Sequence, residues 1–137
     1  MFFKKNKKNN DEDSLIKVAA LLIHAAKIDE NYSKKEKEII KKTLLEIGTE
    51  DNNIEEIMLK ANRIEEDSNQ ILDFTKQVKT INNDDKIKII ETLWRIIYSN
   101  KEADIYETSL MRRLAGLLYI DNKVMGDIKN KIKNEIT

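Results

Sequence analysis

Apolar residues return every three or four positions along most of this chain, in stretches separated by short polar breaks. Leu15, Val18, Ala19, Leu22, Ala25 and Ala26 form the first stripe, which predicts an amphipathic helix from about Ser14 to Ile28. Asp29-Glu30-Asn31-Tyr32 interrupts it. A second helix starts after Ser33 on Ile39, Ile40, Leu44 and Ile47, with Gly48 placed to end it. Asn53 is placed to cap a third helix carrying Ile54, Ile57, Met58, Ala61 and Ile64. The polar run from Glu65 to Asn69 reads either as a break or as a surface turn of one longer helix. Ile71, Phe74, Val78 and Ile81 mark a fourth helix, and Asn82-Asn83-Asp84 the next loop. Ile87, Ile90, Leu93, Trp94, Ile97 and Tyr98 stripe a fifth; Leu110, Met111, Leu114, Leu117 and Leu118 a sixth; Val124, Ile128, Ile132 and Ile136 a seventh, beyond Asp121. Short connections favour antiparallel neighbours. The expected fold is an all-α, single-domain bundle of about seven helices over residues 14–137, preceded by a flexible basic and acidic tail at 1–13.

The fifth and sixth helices repeat the first and second at an offset of 71 residues: Leu22 meets Leu93, Asp29 meets Asn100, Ser33 meets Asp104, Glu36 meets Glu107 and Ile39 meets Leu110. The match is one of position, not identity: apolar stripe, polar loop, cap, acid, apolar stripe. An internally duplicated helical hairpin follows, with its two loops expected near one acidic surface.

Composition narrows the chemistry. Pro and Cys are absent and there are 3 Gly in 137 residues, a thin supply for the turns of a β protein. Without cysteine there is no disulfide, thiolate nucleophile or sulfur-ligated zinc. His24 is the sole histidine, which rules out His-rich catalytic zinc sites. Basic and acidic residues balance at 25 each, so there is no bulk attraction to nucleic acid or anionic membrane. No apolar run reaches the ~18–20 residues that span a bilayer. The start lacks a signal-peptide core, and a cytoplasmic location is the default. Phe2 and Phe3 followed by Lys4, Lys5, Lys7 and Lys8 offer at most a weak peripheral membrane contact, and an acidic partner is the other alternative to a solvated tail.

The candidate functional residues cluster in the two repeated loops. Ser33 with Glu36, and Asp104 with Glu107, have the spacing of a capping box, as do Asn53 and Glu56; helix initiation alone accounts for such glutamates. Asp29 is different, because a carboxylate at a helix C-terminus is electrostatically unfavourable. Either Lys27, Lys34 or Lys35 offsets it, or Asp29, Glu30 and Glu36 gather round a hard cation such as Ca2+ or Mg2+. Glu102, Asp104 and Glu107 give the second loop the same acidity around Asn100. The loops lack the alternating donors and central Gly of a calcium-binding loop, so such a site would be irregular and weak. His24 reads as a hydrogen-bonded, partly buried side chain, and Trp94, Tyr98 and Tyr119 as core or core-edge aromatics. Arg95, Arg112 and Arg113 read either as solvated charges or as a small basic interaction patch. Gly-rich phosphate loops, HExxH and Gly-x-Ser-x-Gly are all absent.

Residues 20–29, Ala-Leu-Leu-Ile-His-Ala-Ala-Lys-Ile-Asp, with Glu36, and the run from Leu93-Trp94-Arg95-Ile96-Ile97-Tyr98 through Glu107 to Arg112, resemble the TerB-like domain family. That family is named for tellurite-resistance proteins and is similar to the amino-terminal domain of the DjlA co-chaperones. The resemblance implies an all-α fold of about seven helices with internal duplication. It also implies an Asp followed seven positions later by a Glu in each half, associated with divalent-cation binding and a charged interaction surface. Asn100 departs from that pattern, and no J-domain motif accompanies it. The resemblance further implies a role in stress-response complexes. The leading expectation is a non-enzymatic interaction or divalent-cation-responsive module with another protein as partner and no specific nucleic acid. The alternatives are a small hydrolytic enzyme using His24 with acidic residues, and a structural protein-binding subunit without metal.

Overall fold

The computed structural model describes the backbone of residues 2–27, 33–68, 72–78, 81–99 and 105–136, and side chains within those spans other than 2–11, 72–73, 77, 105–107 and 136. These residues form α1 (Phe2–Ala26), α2 (Lys34–Glu46), a 3-10 turn (Asp51–Asn53), α3 (Ile54–Asp67), α4 (Leu72–Val78), α5 (Asn83–Tyr98), α6 (Ile105–Leu117) and α7 (Asn122–Ile136). No strand occurs among them. The all-α expectation holds, and the polar run after Glu65 is a break between α3 and α4.

Two helix starts differ from expectation. α1 begins at Phe2 and not near Ser14, so helical backbone extends through residues 2–13. No Pro or Gly stands there to stop it, and Lys and Glu are good helix formers. Asn53 does not cap α3 with its side chain. The 3-10 turn before it already holds Asn53 at φ −105°, ψ −8°, whereas capping needs an extended residue. Asn82 meets that need at φ −60°, ψ 157°, and its side chain accepts from the Asp85 amide at 2.9 Å.

α1 and α5 form the centre. Val18 through Ile23 are fully buried, six consecutive positions, so this part of α1 is enclosed on all sides and is more than the one-sided stripe its spacing suggests. α2, α3, α4 and α5 surround it. Ile89, Ile90, Leu93 and Ile97 bury α5 against α1, α2 and α7. Each such aliphatic side chain contributes roughly 1.5–3 kcal/mol relative to exposure. A polar contact joins two helices of this core: the hydroxyls of Thr43 on α2 and Thr92 on α5 are hydrogen-bonded, and Thr92 donates to the Lys88 carbonyl at 2.8 Å.

The duplication is legible in the backbone. Adding 71 to both bounds of α2 gives the bounds of α6. α1 packs chiefly on α3, and α5 chiefly on α7, while α1 and α5 pack on each other. Both α2 and α6 end in a Schellman motif. After α2, Thr49 N–H donates to Leu44 O at 2.9 Å and Gly48 N–H to Leu45 O at 3.4 Å. After α6, Ile120 N–H donates to Ala115 O at 2.8 Å and Tyr119 N–H to Gly116 O at 3.4 Å.

Two apolar assignments are corrected. Tyr119 is not a core-edge aromatic but 75% exposed, because it occupies the residue after the α6 cap, where the chain turns outward. Val124 is exposed while Met125 is buried. The stripe of α7 therefore runs Met125, Ile128, Ile132, set by the side that faces α5.

Candidate functional site

The last turn of α1, the first turn of α2 and the last turn of α3 meet at one end of the bundle. Ser33 starts α2 in an extended conformation, and its Oγ accepts from the Glu36 amide at 3.2 Å. In return Glu36 Oε1 accepts from the Ser33 amide at 2.8 Å. The box predicted from spacing is thus formed, with an added feature: Glu36 is only 1% exposed. Burying a carboxylate this deeply is costly unless donors surround it; here the cap and the positive end of the α2 dipole supply part of that surrounding. In α6, Glu107 holds the same third position of the helix backbone.

From α3, Glu65 meets the last turn of α1. Glu65 is 8% exposed. Oε1 accepts from Lys27 Nζ at 2.7 Å, and Oε2 lies 3.3 Å from His24 Nδ1. The His24 ring meets Phe74 of α4 at 5.9 Å between centroids. One carboxylate therefore ties α1 to α3, and the histidine continues the contact to α4. Lys27, a candidate partner for Asp29, is engaged by Glu65. Glu65 was absent from the sequence candidates although a signal existed: it stands four residues after Ala61 and seven after Met58, on the buried stripe of α3.

The second half has a related clamp. Arg95, the repeat counterpart of His24, donates from Nε to Glu135 Oε2 at 2.9 Å and from Nη2 to Glu135 Oε1 at 3.3 Å. The hydrogen-bonded guanidinium pulls the Glu135 carboxyl below its usual range, and the carboxylate raises Arg95. Lys131 on α7 reaches Glu91 on α5 at 2.6 Å. Arg95 is thus committed to holding α7, while Arg112 and Arg113 are exposed on α6. Asp29, Glu30, Asn100, Glu102 and Asp104 lie outside the described residues, as does the side chain of Glu107. Among the described residues, no three His, Cys, Asp or Glu side chains are gathered to hold a metal ion. No helix among them is long and apolar enough to cross a membrane.

A family model described as "Tellurite resistance protein TerB" matches residues 15–130, which covers α1 from the start of its apolar stripe, both hairpins and most of α7. No curated protein and no solved structure matches the chain significantly.

Proposed function

The chain belongs to the tellurite resistance protein TerB family, and from that premise we propose that it is a non-enzymatic interaction module whose acidic α1–α2 end responds to a divalent cation. The observation that carries this reading is the buried, cap-held Glu36, which opens α2 seven and six positions after Asp29 and Glu30 in the sequence. Its orientation is set by the helix start and not by the ligand, so little ordering cost remains for an oxygen-seeking ion such as Ca2+ or Mg2+. Partner binding at this end would then depend on the ion, in keeping with a subunit of a cytoplasmic stress-response complex.

Residue-resolved NMR during Ca2+ and Mg2+ titration tests it, with Asp29→Asn and Glu36→Gln as controls. Gln retains the oxygen that caps Ser33, so Glu36→Gln removes charge while preserving the helix start. Shifts from Ser33 to Lys37 are expected at or below millimolar ion and are suppressed in both variants. Silence there at millimolar ion removes the cation from the reading.

The rival reading, a hydrolase built on His24, takes support from the nearby carboxylate of Glu65. Against it, Lys27 shares that carboxylate, and Glu65 is buried at 8% exposure. A general base needs an open approach to its substrate.

A further inference from the structure

The outer side of the α2–α3 pair carries a groove lined by Lys37, Lys41, Glu55, Met58, Leu59 and Asn62. We propose that it docks an amphipathic helix of a partner protein, with an apolar stripe seated on Met58 and Leu59 and acidic side chains facing the lysines of α2. This rests on the interaction-module reading and names the partner's chemistry.

Three observations support the assignment. Leu59 is 53% exposed, in the middle of a helix whose other large apolar residues turn inward. The internal repeat shows that the fold does not require this. At the offset of 71, Leu59 corresponds to Asn130 of α7, so the equivalent position of the other half is built with a polar residue. Met58 lies mostly in the core, and the exposed leucine beside it belongs to this surface and not to the architecture.

The shape is the second. The groove holds about 580 Å³, within the roughly 300–1,000 Å³ of ligand clefts, but it is open to solvent. A row of side chains presented every three or four residues fits such a trough better than an enclosed small molecule does.

Charge selects the occupant. Of the residues lining the groove, Lys37 is exposed and Lys41 half-exposed on the α2 wall, against one acid, Glu55, on the α3 wall, while Glu36 is withdrawn into its cap. Lys41 Nζ reaches across the groove to Glu55 at 2.6 Å. Glu55 is largely exposed, and surface pairs of this kind are weak enough to exchange for an incoming carboxylate.

The test is NMR titration of the full chain with two synthetic amphipathic helical peptides. They share a leucine stripe and carry either glutamate or lysine on its flanks. The acidic peptide is expected to shift Lys37, Lys41, Met58, Leu59 and Asn62, at least tenfold more tightly than the basic one and less tightly as salt rises. Leu59→Glu, at an exposed position, should abolish the shifts while leaving the wild-type spectrum elsewhere; Lys37→Glu should weaken them several-fold. Equal binding of both peptides, no shifts at millimolar peptide, or binding unchanged in Leu59→Glu overturns the proposal. So do concentration-dependent shifts at these residues without peptide, which would make a second copy the occupant. Shifts confined to another face would remove this groove while leaving an interaction module standing, and the cation titration is independent of all these outcomes.

Discussion

Gly48 and Tyr119 stand one repeat apart, each the first residue past its helix cap, and both have positive φ: 127° at Gly48 and 58° at Tyr119. The same Schellman hydrogen bonds surround them. Only one of the two is the residue for which that backbone region is unstrained.

Opposite stability effects are expected at these two sites. No heavy atom lies within 4 Å of a Cβ built at Gly48, so Gly48→Ala acts through backbone strain alone and should cost about 1–3 kcal/mol. Tyr119→Gly should instead be neutral or stabilise by up to about 1 kcal/mol, since it relieves the left-handed conformation at a side chain that is 75% exposed. Urea midpoints measure both. A Tyr119→Gly loss as large as that of Gly48→Ala would show that the tyrosine side chain, and not the backbone, governs the site.

Glu65→Ala should destabilise by about 1–3 kcal/mol, because it leaves two donors facing a buried gap. The cost stays below that of a fully sealed ion pair since His24 and Lys27 each retain access to water. Glu65→Gln, which keeps an acceptor, should lose less. Hydrogen exchange should locate the loosening at the α1–α3 contact; exchange faster only in α7 would contradict the clamp.

Acid should loosen α7. The folded-state pKa of Glu135 is lowered, chiefly by its hydrogen bond to Arg95. Its stabilising contribution is therefore complete above the ordinary carboxylate range and disappears as pH falls through the lowered value. Both partners are partly exposed, so the effect should not exceed about 1 kcal/mol. Trp94 is the sole tryptophan and lies beneath Lys129 of α7, with Nζ 5.5 Å from the ring centroid; its fluorescence reports the change. In Glu135→Gln the acid-side slope should diminish, and an unaltered slope would assign it to other carboxylates.

Thr43 and Thr92 should couple. Thr92→Val and Thr43→Val each leave the other hydroxyl a local carbonyl, at Ile39 O and Lys88 O respectively. Neither substitution should cost more than about 1.5 kcal/mol, and the double variant should lose less than the sum. Strict additivity in a double-mutant cycle would mean that the contact between the hydroxyls contributes nothing.

What operates within one or two helical turns was legible in the order of side chains. The stripes located the helices, Ser33 and Glu36 announced their reciprocal cap, and the offset of 71 anticipated that α6 would match α2 bound for bound. These are local effects, settled by side chains three to five residues apart. The sequence was less informative where the neighbouring backbone decides: Asn53 has the right side chain to cap, but a 3-10 turn removes the extended geometry it needs.

Which helix face is covered, and which distant groups meet, depends on the assembled bundle. His24 and Glu65 are 41 positions apart, and Arg95 and Glu135 are 40 apart, so no periodicity pairs them. Leu59 and Tyr119 are apolar by composition yet exposed, while Glu36 and Glu65 are charged yet buried. Hydropathy describes the preference of one side chain, but burial is set by all the helices packed around it, and that sum exists only in the assembled bundle.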